Sequence, residues 1–246
     1  MRPALWLRHW CKSCYDTRAL PEPKDAAEPI MKRRTLFLNM FSAMLDALGP
    51  SGWWPAATPF EMAVGAIVTQ NTNWQGAARA LANIRDAGKL DPFALHALPE
   101  PELAALLRPA GHFRVKTGRL KNLLALIVAE LDGDITALAA SGLDSARERL
   151  LAVKGVGPET ADSILLYGLG LPSFVVDAYT ARICSRHGLA PEEAGYDELR
   201  DLFMDALPAE VGLYNEFHAL FVRVGNAYCR PRTPKCEACP LERFLP

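Results

Sequence analysis

Residues 150–182 read LLAVKGVGPETADSILLYGLGLPSFVVDAYTAR. An apolar run reaches Gly155-Val156-Gly157, Pro158 opens a second periodic segment, and after a short break Asp177 precedes a third. The pattern predicts a helix, a glycine hairpin, a second helix, and a carboxylate at the start of another. Gly155 and Gly157 permit positive φ and let a partner approach the backbone closely, Pro158 is preset for a first helical position, and Glu159 suits the positive end of a helix dipole. Free amides at such a helix start make an anion site that takes a phosphate without a lysine cluster. The same glycine spacing also serves an ordinary turn between antiparallel helices, so spacing alone leaves both readings open.

Upstream of this stretch, TPFEMAVGAIVTQNTNW is apolar enough for a helix buried almost all round, ending in polar residues where Gln70 and Asn71 can reach a partner and Trp74 can present a ring face. Before it, PSGWWPAATPF sets Trp53, Trp54 and Pro55 side by side in a proline-bounded loop, and at least one of the two rings is expected to line a cleft or a domain seam. An amphipathic helix from about Met31 closes at Gly49. Further helices are predicted near residues 92–98, 101–107, 115–131 and 135–140. Alternating β-branched strands are nearly absent, so the fold class is all-α.

The 246 residues, 50% hydrophobic and 22% charged, mark a globular chain of one or two domains, neither disordered nor membrane-spanning. A net charge of -1 gives no global reason to expect a polyanion. Two local runs break the balance: GHFRVKTGRLKN carries His112, Arg114, Lys116, Arg119 and Lys121 without an acid, and Arg223, Arg230, Arg232 and Lys235 follow later. Both could neutralise phosphates, although a solvated helix face is the commoner origin of such runs.

Three of the six cysteines, Cys229, Cys236 and Cys239, crowd the C-terminal segment, a spacing that points to metal or cluster ligation. Cys184 sits too deep in an apolar helix to join them. At the other end Arg8, His9 and Lys12 interrupt any signal-peptide core, the Cys11–Cys14 pair reads as incidental in a mobile extension, and Pro21, Pro23 and Pro29 read as linker.

LLAVKGVGPETADSIL followed by VVDAYTARI resembles the helix-hairpin-helix and Gly/Pro-Asp loop of the endonuclease III superfamily of DNA glycosylases. TPFEMAVGAIVTQNT is similar to that family's early barrel helix, and CRPRTPKCEACP to its iron-sulfur loop. The resemblance implies a flexible extension over 1–30, a six-helix barrel with the hairpin over 58–171, and a second helical domain from 31–57 plus 172–246, with DNA in the cleft between the two domains. By the same resemblance the hairpin amides of Lys154, Gly155, Val156 and Gly157 grip a phosphate, and Gln70 and His112 take the plug and wedge positions beside a flipped nucleotide; Arg114 and Lys116 are expected DNA contacts on the charge of their run. A monomer near the nucleoid in the cytoplasm is the expected state.

Departures from the family pattern narrow the chemistry. Bifunctional members carry a Schiff-base lysine where this chain has Glu159, and a carboxylate forms no imine. Lys154, across the hairpin, is a poor substitute. A monofunctional glycosylase is therefore expected, with Asp177 both capping its helix and, ionised, steadying an oxocarbenium-like sugar and orienting water. The adenine-mismatch branch uses a glutamate where Ala66 stands. The WWP loop, Trp74 and Glu159 together resemble the 3-methyladenine DNA glycosylase branch, which makes Trp53, Trp54, Pro55, Trp74 and Glu159 the expected base pocket. Rival readings are a glycosylase for oxidised pyrimidines or T·G mismatches, and a non-catalytic damage-binding protein. The family's cluster loop reads C-x6-C-x2-C-x5-C; Cys229, Cys236 and Cys239 match its first three places and Leu245 takes the fourth, leaving open a [4Fe-4S] cluster closed by Cys11, Cys14 or a non-cysteine ligand, its loss, or a zinc ion.

Overall fold

The computed structural model describes residues 28–246 other than Asn73. The Cys11–Cys14 pair lies outside the described residues. Eleven α-helices and several short 3₁₀ turns make up the described residues: α1 Glu28–Leu48, α2 Pro59–Val68, α3 Trp74–Asp86, α4 Pro92–Ala97, α5 Glu100–Leu107, α6 Phe113–Glu130, α7 Leu143–Leu151, α8 Pro158–Ser163, α9 Ala178–Arg186, α10 Tyr196–Met204 and α11 Val211–Ala227. The architecture is all-α, as the periodicity predicts. The segment 135–141 forms a 3₁₀ helix in place of the expected α-helix, and α1 begins inside the expected extension.

Helix α2 shows why the sequence folds locally as it does. Thr58 accepts from the Glu61 amide at 3.1 Å while the Glu61 carboxylate returns to the Ala57 amide at 3.1 Å, so two orphan donors are satisfied by two side chains, with Pro59 at the first helical position. Every residue from Phe60 to Val68 is buried, which makes α2 the axis of its cluster. Buried Glu61 is paired with Arg85.

Apolar side chains fall into two clusters. One is built from residues 60–165 and the other from α1 together with residues 166–241. The chain crosses between them within a π-helical turn, Ile164–Gly168, where Ile164 and Leu165 face the first cluster and Leu166 the second. Tyr167 packs against both. A buried carboxylate also spans the seam: Asp162 accepts from Arg147 Nε at 3.0 Å and from Ser173 Oγ at 2.5 Å, with Arg200 Nε at 3.6 Å. Removing either partner would leave charge uncompensated in the interior.

Helices α9 and α11 approach closely at Gly225, where an added Cβ would lie 2.3 Å from the Tyr179 ring. His218 stands two turns earlier on the same face of α11, so this contact brings it over the start of α9. Among the described residues no helix is long and apolar enough to cross a membrane.

Candidate active site

The hairpin comes first. Gly155 adopts φ +97 and its missing side chain leaves room for Arg119, whose Cγ would lie 2.4 Å from an added Cβ. Gly157 has φ -95 with open space around it, so the expectation of a positive φ there is corrected: only Gly155 needs its freedom. The Val156 side chain is buried and its amide closes a turn onto Val153 O at 3.0 Å. Lys154 is exposed, and its carbonyl accepts from Asn122 Nδ2 at 2.8 Å.

Gln70 is tied to this hairpin. Its Nε2 donates to Gly155 O at 3.1 Å and Thr160 Oγ1 at 2.9 Å, and its Oε1 accepts from Arg119 at 2.7 Å. Next to it Asn71 has φ 50, and His112 is exposed with φ 44, following Gly111 at φ +65. Non-glycine residues in this region hold mild strain that the surroundings must enforce.

Lys116 does the enforcing. Expected among the phosphate ligands, it is instead 1% exposed, and its ammonium donates to Val68 O at 2.9 Å and Ala110 O at 2.7 Å, tying the chain just before Gln70–Asn71 to the chain just before Gly111–His112. Burial, with Arg119 nearby, holds its pKa below the ordinary lysine value. Most of the two basic runs is spent likewise. Lys121 donates to the carbonyls of His96 and Leu98, Arg223 caps α1 through Leu48 O and Gly49 O, and Arg230 Nε turns to Asn226 O. Arg114 remains exposed beside His112, and Arg232 and Lys235 remain exposed in the C-terminal loop.

Trp53, Trp54 and Trp74 form one cluster, with ring centroids 4.7, 5.0 and 5.2 Å apart and Trp54 edge-on to Trp74 at 90°. Trp54 lies over Gly65 of α2, the glycine leaving 3.3 Å between a would-be Cβ and the ring. Trp74 is 37% exposed, Pro55 is exposed, and the buried Trp53 Nε1 makes no hydrogen bond. The ring of Tyr167, 5.8 Å from Trp54, extends the cluster toward the seam.

Asp177 caps α9: one carboxylate oxygen accepts from the Thr180 amide at 2.7 Å and from Thr180 Oγ1 at 3.0 Å. The other oxygen faces His218 Nε2 at 3.6 Å, and His218 Nδ1 is hydrogen-bonded to Tyr167 Oη. Burial pushes the Asp177 carboxyl up, but His218 and the two bonds from Thr180 outweigh it and hold the group below the usual aspartate value. Glu159, in the first turn of α8, has an exposed side chain. Desolvation there, and then Asp177, push its carboxyl up, with His218 opposing. Tyr167 is pushed well above an ordinary phenol by burial and by Asp177. Of these groups Tyr167 and His218 escaped the sequence reading. Both sit in apolar runs, and the one available signal was a lone histidine in the middle of FHALF.

Cys229, Cys236 and Cys239 wall one small cavity, shared with Arg186, His187, Glu242 and Leu245. Arg186 Nη1 lies 3.3 Å from Cys229 Sγ, and Cys239 is raised by burial, with both other thiols close enough to add to it. Among the described residues no group of three or more His, Cys, Asp or Glu is placed to hold a metal ion. The three thiols share the walls of this cavity. Leu245, lining the same cavity, supplies no fourth ligand, and His187 Nδ1 is engaged with Phe244 O at 3.0 Å.

Residues 64–209, more than half of the chain, match the family model described as HhH-GPD superfamily base excision DNA repair protein. A protein of Methanocaldococcus jannaschii named as a DNA repair glycosylase is 42% identical over 85% of this chain and 95% of its own length. A solved 3-methyladenine DNA glycosylase of H. pylori, bound to 1,N6-ethenoadenine, is 26% identical with a TM-score of 0.68, over 79% of this chain and 97% of that one. A trapped endonuclease III–DNA covalent intermediate superposes with a TM-score of 0.75 at 20% identity, over 86% and 95%, a likeness of fold. The chain belongs to the HhH-GPD superfamily of base excision DNA repair proteins, the group that includes the endonuclease III-like glycosylases.

Proposed function

We propose that this protein is a monofunctional DNA glycosylase that hydrolyses the glycosidic bond of an extruded alkylated purine such as 3-methyladenine. The observation that carries the reading is the aromatic cluster of Trp53, Trp54, Trp74 and Tyr167 joined through His218 to an ionised Asp177. An alkylated purine is cationic, so its bond is already activated and its ring is drawn to an electron-rich face by about 0.5–2 kcal/mol per contact. Such a base enters by displacing Trp74, the exposed ring, from the edges of Trp53 and Trp54. Asp177, stripped of much of its water and fixed by Thr180, steadies the cationic sugar and aligns the attacking water.

Glu159 at the lysine position supports hydrolysis over imine formation, and Ala66 within buried α2 supports a base that needs no acid from that helix. Duplex DNA is held at the hairpin, with His112 and Gln70 at the site vacated by the base. Extrusion costs a few kcal/mol, which stacking in the pocket and wedging outside it offset. A four-iron cluster, where assembled, would be held by Cys229, Cys236 and Cys239 and would shape the loop that Arg182 and Arg186 fasten to α9 through Cys229 O and Arg230 O. Bound iron and sulfide in anaerobically purified protein test that part.

The test of function is a panel of duplexes carrying 3-methyladenine, 7-methylguanine, thymine glycol or a T·G mismatch, with base release and strand cleavage scored before and after hot alkali. Methylpurine release, with cleavage only after alkali, is expected. Release of thymine glycol or mismatched thymine alone would move the protein to another branch, and cleavage without alkali would end the monofunctional reading. Asp177→Asn is expected to abolish release while duplex binding persists. Trp74→Ala is expected to slow 3-methyladenine release more than it weakens binding to undamaged duplex.

A further inference from the structure

We propose that His218 is the positioning residue of the reaction, joining the wall of the base pocket to the catalytic carboxylate across the seam between the two apolar clusters. The inference rests on the reading of Asp177 given above. His218 belongs to α11, is 6% exposed, and uses its two ring nitrogens on opposite sides. Nδ1 is hydrogen-bonded to Tyr167 Oη, and Nε2 makes no hydrogen bond but faces Asp177 Oδ2 at 3.6 Å.

The partners choose the tautomer. A neutral ring that accepts from the Tyr167 hydroxyl at Nδ1 carries its proton on Nε2, toward the carboxylate, and the charged ring does the same; the remaining tautomer sets a lone pair against a carboxylate. In both allowed forms a donor meets Asp177 on the oxygen that Thr180 leaves uncovered. One carboxylate oxygen is thus fixed by the cap of α9 and the other by the histidine, which sets the plane of the group. Contacts of this kind are often long without substrate and shorten in the productive complex.

The link reaches the pocket because Tyr167 is also a pocket wall, its ring 5.8 Å from Trp54. A base that presses on the Trp54–Tyr167 wall acts on the carboxylate through one hydrogen bond and one 3.6 Å contact. The other ionisable groups that influence this cluster, Glu159 of α8 and Glu216 of α11, are acidic, so the imidazole is the one basic side chain among them.

The experiment measures single-turnover base release and dissociation constants on a 3-methyladenine duplex for His218→Phe, His218→Gln, Tyr167→Phe and the double variant His218→Phe/Tyr167→Phe. Misplacing a catalytic group costs about 100-fold in rate. His218→Phe is expected to show that loss with DNA affinity within about threefold, and His218→Gln, which can still donate to Asp177, to recover about tenfold of it. The double variant should be no slower than His218→Phe alone, because both changes break one chain. A His218→Phe rate near wild type, or losses that multiply in the double variant, overturns the proposal. Should His218→Phe fail to fold, the same cycle run with His218→Gln decides, multiplying losses again overturning it. An Asp177→Asn variant as active as wild type is a separate outcome, which removes the reading of the site itself.

Discussion

Two carboxyl groups that influence each other carry opposite perturbations, and the difference has a measurable cost. Asp177 is held below its ordinary value by His218 and Thr180, whereas Glu159 is held above it by desolvation and by Asp177. A carboxyl that binds its proton more tightly when folded loses stability as pH rises from its unfolded value, about 4.3, to the raised folded one. Glu159→Gln should therefore melt at a higher temperature than wild type at neutral pH, the gap closing as pH falls through that window. Thermal unfolding at a series of pH values checks it; a gap that persists below the ordinary glutamate value counts against the coupling. Glu159 is legible in the sequence as the residue that replaces a lysine. Its coupling to Asp177 is not, because the two carboxyl groups are separated along the chain and influence each other only in the fold.

At the scale of elements, the hairpin and the loops on either side of it form one braced unit. Gln70 and Arg119 clamp Gly155 from one side, and Lys116 binds the two strained loops from below. Lys116→Met leaves two buried carbonyls without their donor and is expected to cost about 1–3 kcal/mol, measured by denaturant unfolding. Gly155→Ala meets both a positive φ and the Arg119 stem, and should weaken duplex binding together with stability. Helix boundaries, the glycine turn and the cap at Asp177 are local, and periodicity and residue type expose them. Lys116 misleads for the opposite reason: a lysine in a basic run looks like a phosphate ligand, and only the packing of α6 on the end of α2 turns its ammonium inward. His218 and Tyr167 are invisible for the same cause, since their partners lie 41 and 51 residues away or more.

Across the whole molecule, the basic side chains of both runs are largely committed to carbonyl groups at the ends of segments, on a chain of net charge -1. Cation that caps a helix does not condense onto a polyanion. Few counterions are then released when the duplex binds, so log K should fall against log salt with a slope of only about -3 to -4. Filter binding or anisotropy at several salt concentrations measures that slope. The search for a lesion follows from it: with so little non-specific attraction, the protein leaves undamaged DNA quickly and samples many short stretches, and residence is set by what the aromatic cluster captures.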